Sequence, residues 1–327
     1  MPALMRTLQI ACACTLAMAS MSAKAEEFPA KPIKMLVGFS AGGSTDAIAR
    51  LYASKLGEVL KTTVIVENRA GGSQLIAIRG LMSAPADGYT LFLASASAMS
   101  QGPGVRTDLP YDPQKDFTPI ALVGTTQGAI VASPTLPVNS IGELVQYAKK
   151  HPDSLNYGSS GIGSASHLQT EYMLNVAGIK MTHIPYKADS EIMTAMAEGS
   201  VQIGISPLQG ALPVIQSGRV RILAVTGSHR LESLPKVQAL SEVADVPGLA
   251  AMDPYTYYAL MGPKGMPAAL VQKINAAVNE VSKMPQTVKN MHAQLYEPAT
   301  GSPDDLRSFI AHDLDKWRTF SHKVKLD

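Results

Sequence analysis

Ile33-Lys34-Met35-Leu36-Val37-Gly38-Phe39-Ser40-Ala41-Gly42-Gly43-Ser44-Thr45-Asp46 is the stretch whose reading decides the fold. Its first five residues are an apolar run between Pro32 and Gly38, the pattern of a short buried strand. Beyond the stretch, Ala47, Ile48, Leu51, Tyr52, Leu56, Val59 and Leu60 recur at helical spacing, so a helix is expected to start between Ser44 and Asp46. Strand, small-residue loop and helix together aim free backbone N–H groups at an anion. The first four amides of a helix lack an internal acceptor, and the helix dipole favours negative charge there. Gly42 and Gly43 have no Cβ, so a ligand can rest on bare backbone; a Cβ at Gly43 is expected to block it or to demand a disfavoured φ. Neither the G-x-G-x-x-G of a dinucleotide fold nor the Gly-Lys-Ser/Thr of a P-loop is present, and a tight, well-capped turn is the competing reading.

Upstream, residues 1–25 read as a removable export signal. Arg6 supplies the positive charge, Leu8 to Met18 the apolar run, and Ala23-Lys24-Ala25 the small-x-small cleavage site. The run is shorter than the roughly 20 apolar residues of a membrane span. Cys12 and Cys14, the only cysteines, leave with the signal, and the residues before each fit a lipoprotein site poorly. An exported chain without cysteines fits a bacterial periplasm better than a disulfide-stapled secreted domain. Arg6 and Lys24 leave too, so 26 basic residues face 26 acidic ones in the mature chain. That balance argues against nucleic acid or a membrane surface as partner. The remaining 302 residues exceed what one core usually serves, so two lobes are expected.

Downstream, strand Val64–Val66, the glycine-rich turn Asn68–Ser73, helix Leu75–Met82, turn Pro85–Gly88 and strand Tyr89–Leu93 continue the alternation. Alternating strands and helices imply a mainly parallel sheet covered on both faces, with ligands beyond the carboxyl ends of the strands. Ser95-Ala96-Ser97, read as a loop after the third strand, falls at the same rim as Gly42 and Gly43. A proline-punctuated connection, 103–119, leads to a strand over Ile120–Val131, with a lobe crossing near Gly124–Gln127. The second lobe repeats the first: strand end Leu155–Tyr157, small-residue loop Gly158–Ser164 including Gly163, helix Ser166–Val176 with His167 in its first turn. Met181–Asp189 ends another strand, with Ser190 or Asp189 expected to cap the next helix. Strand Val201–Ile205 runs into Ser206-Pro207, followed by helix Gly210–Gln216 and strand Val220–Thr226. A second crossing near Pro247–Tyr258 and amphipathic helices Ala268–Val281 and Pro303–Phe320 close the chain. The expected layout is lobe one at 26–124 and 253–327 and lobe two at 125–252, hinged at the two crossings.

Several ordered blocks carry a resemblance over essentially the whole mature chain: Lys31-Pro32-Ile33, Gly42-Gly43-Ser44-Thr45-Asp46, Val66-Glu67-Asn68-Arg69, Pro85-Ala86-Asp87-Gly88-Tyr89-Thr90 and His183-Ile184-Pro185-Tyr186-Lys187. Together they resemble the Bug receptors, the periplasmic solute-binding proteins of tripartite tricarboxylate transporters. The resemblance implies two α/β lobes closing like a flytrap on a small carboxylate for delivery to membrane subunits. It also implies that two loops pinch one carboxylate, here Phe39-Ser40-Ala41-Gly42-Gly43-Ser44-Thr45-Asp46 and Pro185-Tyr186-Lys187-Ala188-Asp189. The chain departs from the family at Ala188, where glycine is usual, and at Tyr257, which stands for a usual tryptophan; both are expected to reshape the distal pocket.

For a dicarboxylate, Ser159, Ser164, His167 and Ser206 are the candidate donors on the far wall, with Ser95 and Ser97 at the near rim. No cofactor is implied, and the seven histidines show no H-E-x-x-H or tight His/carboxylate spacing for a metal. A monomer is expected. The rival is an exported α/β hydrolase: Gly158-Ser159-Ser160-Gly161-Ile162 and Gly42-Gly43-Ser44-Thr45-Asp46 place a serine centrally, although both fail the closing glycine of G-x-S-x-G.

Overall fold

The computed structural model describes residues 28–321 except 228–229, 232–233, 245, 247 and 250–254. The export signal therefore lies outside the described residues, as does the middle of the second crossing. Three parallel strands open the chain: β1 (Ile33–Val37) lies between β2 (Val64–Asn68) and β3 (Thr90–Ser95). Helices Ser44–Leu60 and Leu75–Met82 make the crossovers that parallel pairing requires. Side chains alternate between faces: Met35 and Val37 enter one core and Leu36 the other, while Leu91 and Leu93 oppose Phe92 and Ala94. A sheet apolar on both faces must be covered on both, and it is.

β4 (Phe117–Ala132) is 16 residues long and belongs to both halves of the molecule. Phe117–Gln127 pairs with β9 (Tyr255–Pro263) in the first half. From Gly128 onward β4 pairs instead with β7 (Ile203–Pro207), and from Ala129 also with β8 (Arg221–Val225). β5 (Asn156–Ser159) lies parallel to both β6 (Thr182–Pro185) and β7. β10 (Tyr296–Pro298) adds to the edge of β4. The strand path is β2-β1-β3-β9-β4-β7-β5-β6. Parallel order thus holds among the helix-linked strands of each half. Pairs with β4 and β9 are antiparallel, because β9 brings the chain back into the first sheet against the direction in which β4 left it. The second half repeats the two-faced packing, with Ile130 and Ala132 in one core and Ala129 and Val131 in the other.

Two local expectations change. Ser95-Ala96-Ser97 is no loop: β3 ends at Ser95 and a π-helical turn, Ser97–Gln101, runs straight into helix Gly102–Val105. Ala96, Ala98 and Met99 are fully buried there, so core packing turns a polar-looking segment into a helix. Neither Asp189 nor Ser190 caps the helix Asp189–Ala197: its cap is Ala188, without a side-chain bond, and the Lys187 amide donates to Glu191 Oε2 at 3.1 Å. Helix Pro285–Ala293 and the short β10 were not foreseen in the sequence.

Candidate functional site

Two strand–loop–helix cradles are built at the carboxyl ends of the parallel strands. In the first, Gly38 lies beneath Gln74, whose Cβ would stand 2.5 Å from any Cβ placed on Gly38. Residues 39–43 are exposed, and Gly42 takes a left-handed φ of +85°. Gly43 does not: at φ −81° and ψ 173° it is the extended cap of the helix Ser44–Leu60, so the conformational demand falls on Gly42 alone. The first intrahelical bond runs from Ala47 N to Gly43 O at 3.0 Å, which leaves the amides of Ser44, Thr45 and Asp46 without helical acceptors.

The Asp46 side chain anchors this loop. Its Oδ2 accepts from the Gly42 amide and from Arg50 Nε, each at 2.9 Å, and its Oδ1 accepts from Asn68 Nδ2 at 2.9 Å. The same Asn68 amide donates to Phe39 O at 3.1 Å. Burial pushes the Asp46 carboxyl up, but the bonds from Arg50, Gly42 and Asn68 outweigh it and hold the group below the usual carboxylate range. An anion fixed in this way offers another anion only its backbone amide. Gln74, absent from the sequence expectations, completes the rim. It is 1% exposed and left-handed (φ +75°), and its Nε2 donates at 2.8 Å to both Ser95 Oγ and Ser97 Oγ, which lie 2.8 Å apart. The run Gly71-Gly72-Ser73-Gln74 is left-handed throughout; the two glycines flag a turn, but nothing in sequence marks its last residue as the one that bonds Ser95 and Ser97.

The second cradle starts where β5 ends. Gly161 (φ +108°) and Gly163 (φ +75°) reverse the chain, and Ser164 caps the helix Ala165–Ala177 by accepting from His167 N at 3.3 Å. Ser166 Oγ accepts from Ser160 N at 3.0 Å and lies 3.1 Å from the hydroxyls of Ser160 and Ser164. His167 Nδ1 accepts from Gly163 N at 3.1 Å, which assigns a neutral ring with its proton on Nε2. Tyr157, His183 and His167 stack in sequence, at centroid spacings of 4.8 and 4.2 Å. Burial, aided by the charge His183 would carry, brings His167 down to about 4; burial lowers His183 as well. Ser159 Oγ sits 2.6 Å from His183 Nε2 and 3.2 Å from Gly161 O.

β5 and β6 place Ser159 opposite Pro185, so Tyr186 and Ala188 flank the same loop, and Tyr186 N donates to Ser159 O at 2.8 Å. Asp189, in the first turn of its helix, has an Oδ1 sealed from water without a hydrogen-bond partner. Burial pushes its carboxyl up to about 6, opposed only by the Ser160 hydroxyl. Ser206 Oγ is also sealed and unpaired, on β7 two residues beyond Gly204, the partner of Gly158.

The expected residues fall into two groups, one in each half. The halves meet at Gly163, where an added Cβ would lie 3.7 Å from Arg106 Cδ; Arg106 itself is paired with Asp108 at 2.9 and 3.0 Å. Tyr257 is fully buried in the core of the first half, donates to Ser100 Oγ at 2.8 Å and meets Phe309 edge-on, so its side chain packs within that core. Among the described residues, no group of His, Cys, Asp or Glu is placed to hold a metal.

Two covered sheets sharing one long strand, each with an anion-type cradle at its parallel rim, define a two-lobed solute-binding protein. The profile of the tripartite tricarboxylate transporter family receptors matches residues 48–326, and the chain belongs to that family. Protein BugT of Bordetella pertussis is 32% identical over 294 residues, covering 90% of this chain and 89% of that one. Among solved structures, Rpa4515 of R. palustris with adipate superimposes with a TM-score of 0.84 at 30% identity, over 91% of this chain and 98% of that one. The periplasmic binding protein BugD does so at 0.82 and 28% identity, over 92% and 99%.

Proposed function

We propose that this protein is a periplasmic receptor that captures a small mono- or dicarboxylate between its lobes and delivers it, unchanged, to the membrane subunits of a tripartite tricarboxylate transporter. The observation that carries this is the pair of cradles whose donors are uncapped amides and hydroxyls. The amides of 44–46 and the Ser95–Ser97 pair serve one carboxylate end from lobe one, and Ser164, His167 Nε2–H and the 185–189 loop serve from lobe two. Each helix terminus contributes about 0.3–2 kcal/mol toward an anion, more once closure excludes water. Several such donors reach the roughly 8 kcal/mol of a micromolar complex. The adipate in the related Rpa4515 makes adipate the first compound to try.

The protein works as a monomer with lobes 26–124 plus 253–327 and 125–252, and with Ser206 on the far wall. Its periplasmic address rests on the Ala23-Lys24-Ala25 signal end; among the described residues no helix is long and apolar enough to cross a membrane. A calorimetric screen of carboxylates against neutral sugars tests the proposal: adipate-type acids are expected to bind, and sugars binding in their place would overturn it. The Ser159–His183 pair is the one feature that favours hydrolysis. Ser159 is fully buried, its hydroxyl also braces Gly161, and no described carboxylate hydrogen-bonds the His183 ring. Product release from short-chain esters, lost in Ser159→Ala, would establish that reading instead.

A further inference from the structure

The C-terminal helix Pro303–Ser321 belongs to two environments. Leu306 and Ile310 lie in the core of the first half. About two turns later Trp317 and Phe320 leave that core and pack on Leu168 and Tyr172, from the helix Ala165–Ala177 of the second half. Tyr172 stands 6.0 Å from Trp317 and 4.8 Å from Phe320, and those two rings meet edge-on at 5.6 Å. Leu168, Trp317 and Phe320 are at most 3% exposed. This is a dry aromatic contact between lobes, at the helix whose first turn forms the second cradle.

Polar atoms at this contact are sealed without partners. Trp317 Nε1 is sealed without a hydrogen-bond partner. So are both amide atoms of Gln101, a residue that is itself fully buried. Gln101 ends the π-helical turn that packs against both the C-terminal helix and the helix Ala165–Ala177. Ser97, Gln101 and Val105 recur four apart and share one face. Ser97 bonds Gln74 in the first cradle and Val105 packs in the aromatic contact, so Gln101 lies between site and seam. A polar group sealed without a partner loses its water and gains nothing, whereas at a parted surface water satisfies it.

We propose that Leu168, Tyr172, Trp317 and Phe320 form a seam that shuts as the lobes close, and that the unpaired polar atoms sealed there hold the free protein open. Aromatic burial pulls the seam shut and desolvation of Gln101 and Trp317 parts it, which leaves the decision to the ligand. The inference rests on the flytrap reading above. Trp317 is the sole tryptophan, so its fluorescence reports the seam directly. In wild-type protein without added carboxylate, acrylamide is expected to quench it. Gln101→Leu removes both unpaired atoms at similar volume and should lower that quenching and the radius of gyration, again without ligand; Gln101→Met serves if the leucine variant misfolds. Unchanged quenching and radius in a folded variant would overturn the proposal. With adipate as the probe, Tyr172→Ala should weaken calorimetric binding about tenfold or more, as its ring contacts with Trp317 and Phe320 are lost, and unchanged affinity would equally overturn it. Wild-type protein that ignores adipate speaks against the carboxylate reading alone, and the Gln101 variants still decide the seam.

Discussion

Each half has a strand–loop–helix unit with an aspartate in the first turn of its helix, Asp46 after β1 and Asp189 after β6, and the two are opposites. Asp46 is ionised and spends its carboxylate on Gly42, Arg50 and Asn68. Asp189 has a sealed, unpartnered oxygen and a carboxyl pushed up to about 6. The same side chain at the same place in a repeated motif thus anchors one loop and is left with an unpaired oxygen in the other. Position in a motif does not fix a role; the partners that neighbouring loops supply do.

The strongest way to break the comparison is Gly43→Val. A Cβ there meets nothing nearer than Ser40 O at 3.7 Å, so the lobe is expected to fold with unchanged circular dichroism. Carboxylate affinity should nevertheless fall by about 100-fold or more, since charged hydrogen bonds to bare amides are worth about 1.5–3 kcal/mol each. Retained affinity would remove the first cradle from the site.

Next come paired substitutions of opposite sign. Asp46→Asn should destabilise the protein at pH 7.5 by about 2 kcal/mol, the scale of lost charge-assisted bonds. Its lowered carboxyl contributes stability that is present above the usual value of 3.8 and lost as pH falls below it. Asp189→Asn should stabilise at pH 7.5 by about 1 kcal/mol, because the raised carboxyl contributes stability that is complete below 3.8 and lost as pH rises through about 6. Removing a buried charge should also tighten carboxylate binding at that pH. Denaturant melts of both variants at pH 5 and 7.5 check the signs; the same sign for both would collapse the contrast.

Thr45→Ala sharpens the first cradle further. It removes one hydroxyl from a buried residue, with an expected loss of about 0.5–1.5 kcal/mol in calorimetric binding, tenfold or less. Lys187→Ala is the smallest: the residue is exposed, and less than about twofold is expected if neutral donors hold the anion. A large loss there beside an intact Gly43→Val would make the site a salt bridge.

Much of this was legible. Strand β1, the start of the helix at Ser44, the helix Leu75–Met82 and the small-residue loop over 158–164 follow from apolar periodicity and glycine placement, which local sterics enforce. The helix from Ser97 was not, because its formation depends on Ala96, Ala98 and Met99 finding a core. Gln74 was missed for a similar reason: its role exists only once β3 brings Ser95 and Ser97 beneath it.

By itself the sequence determined the alternation of elements, the two glycine-bearing loops and the family blocks, since each depends on residues within one or two turns of one another. Tertiary structure alone decided which aspartate is satisfied, which tyrosine is core, where β4 changes partners and how Trp317 meets Tyr172. Those are contacts between segments as much as 157 residues apart, such as Tyr257 with Ser100. Hydrogen bonding and burial act at a few ångströms in space, and no spacing along the chain encodes that distance.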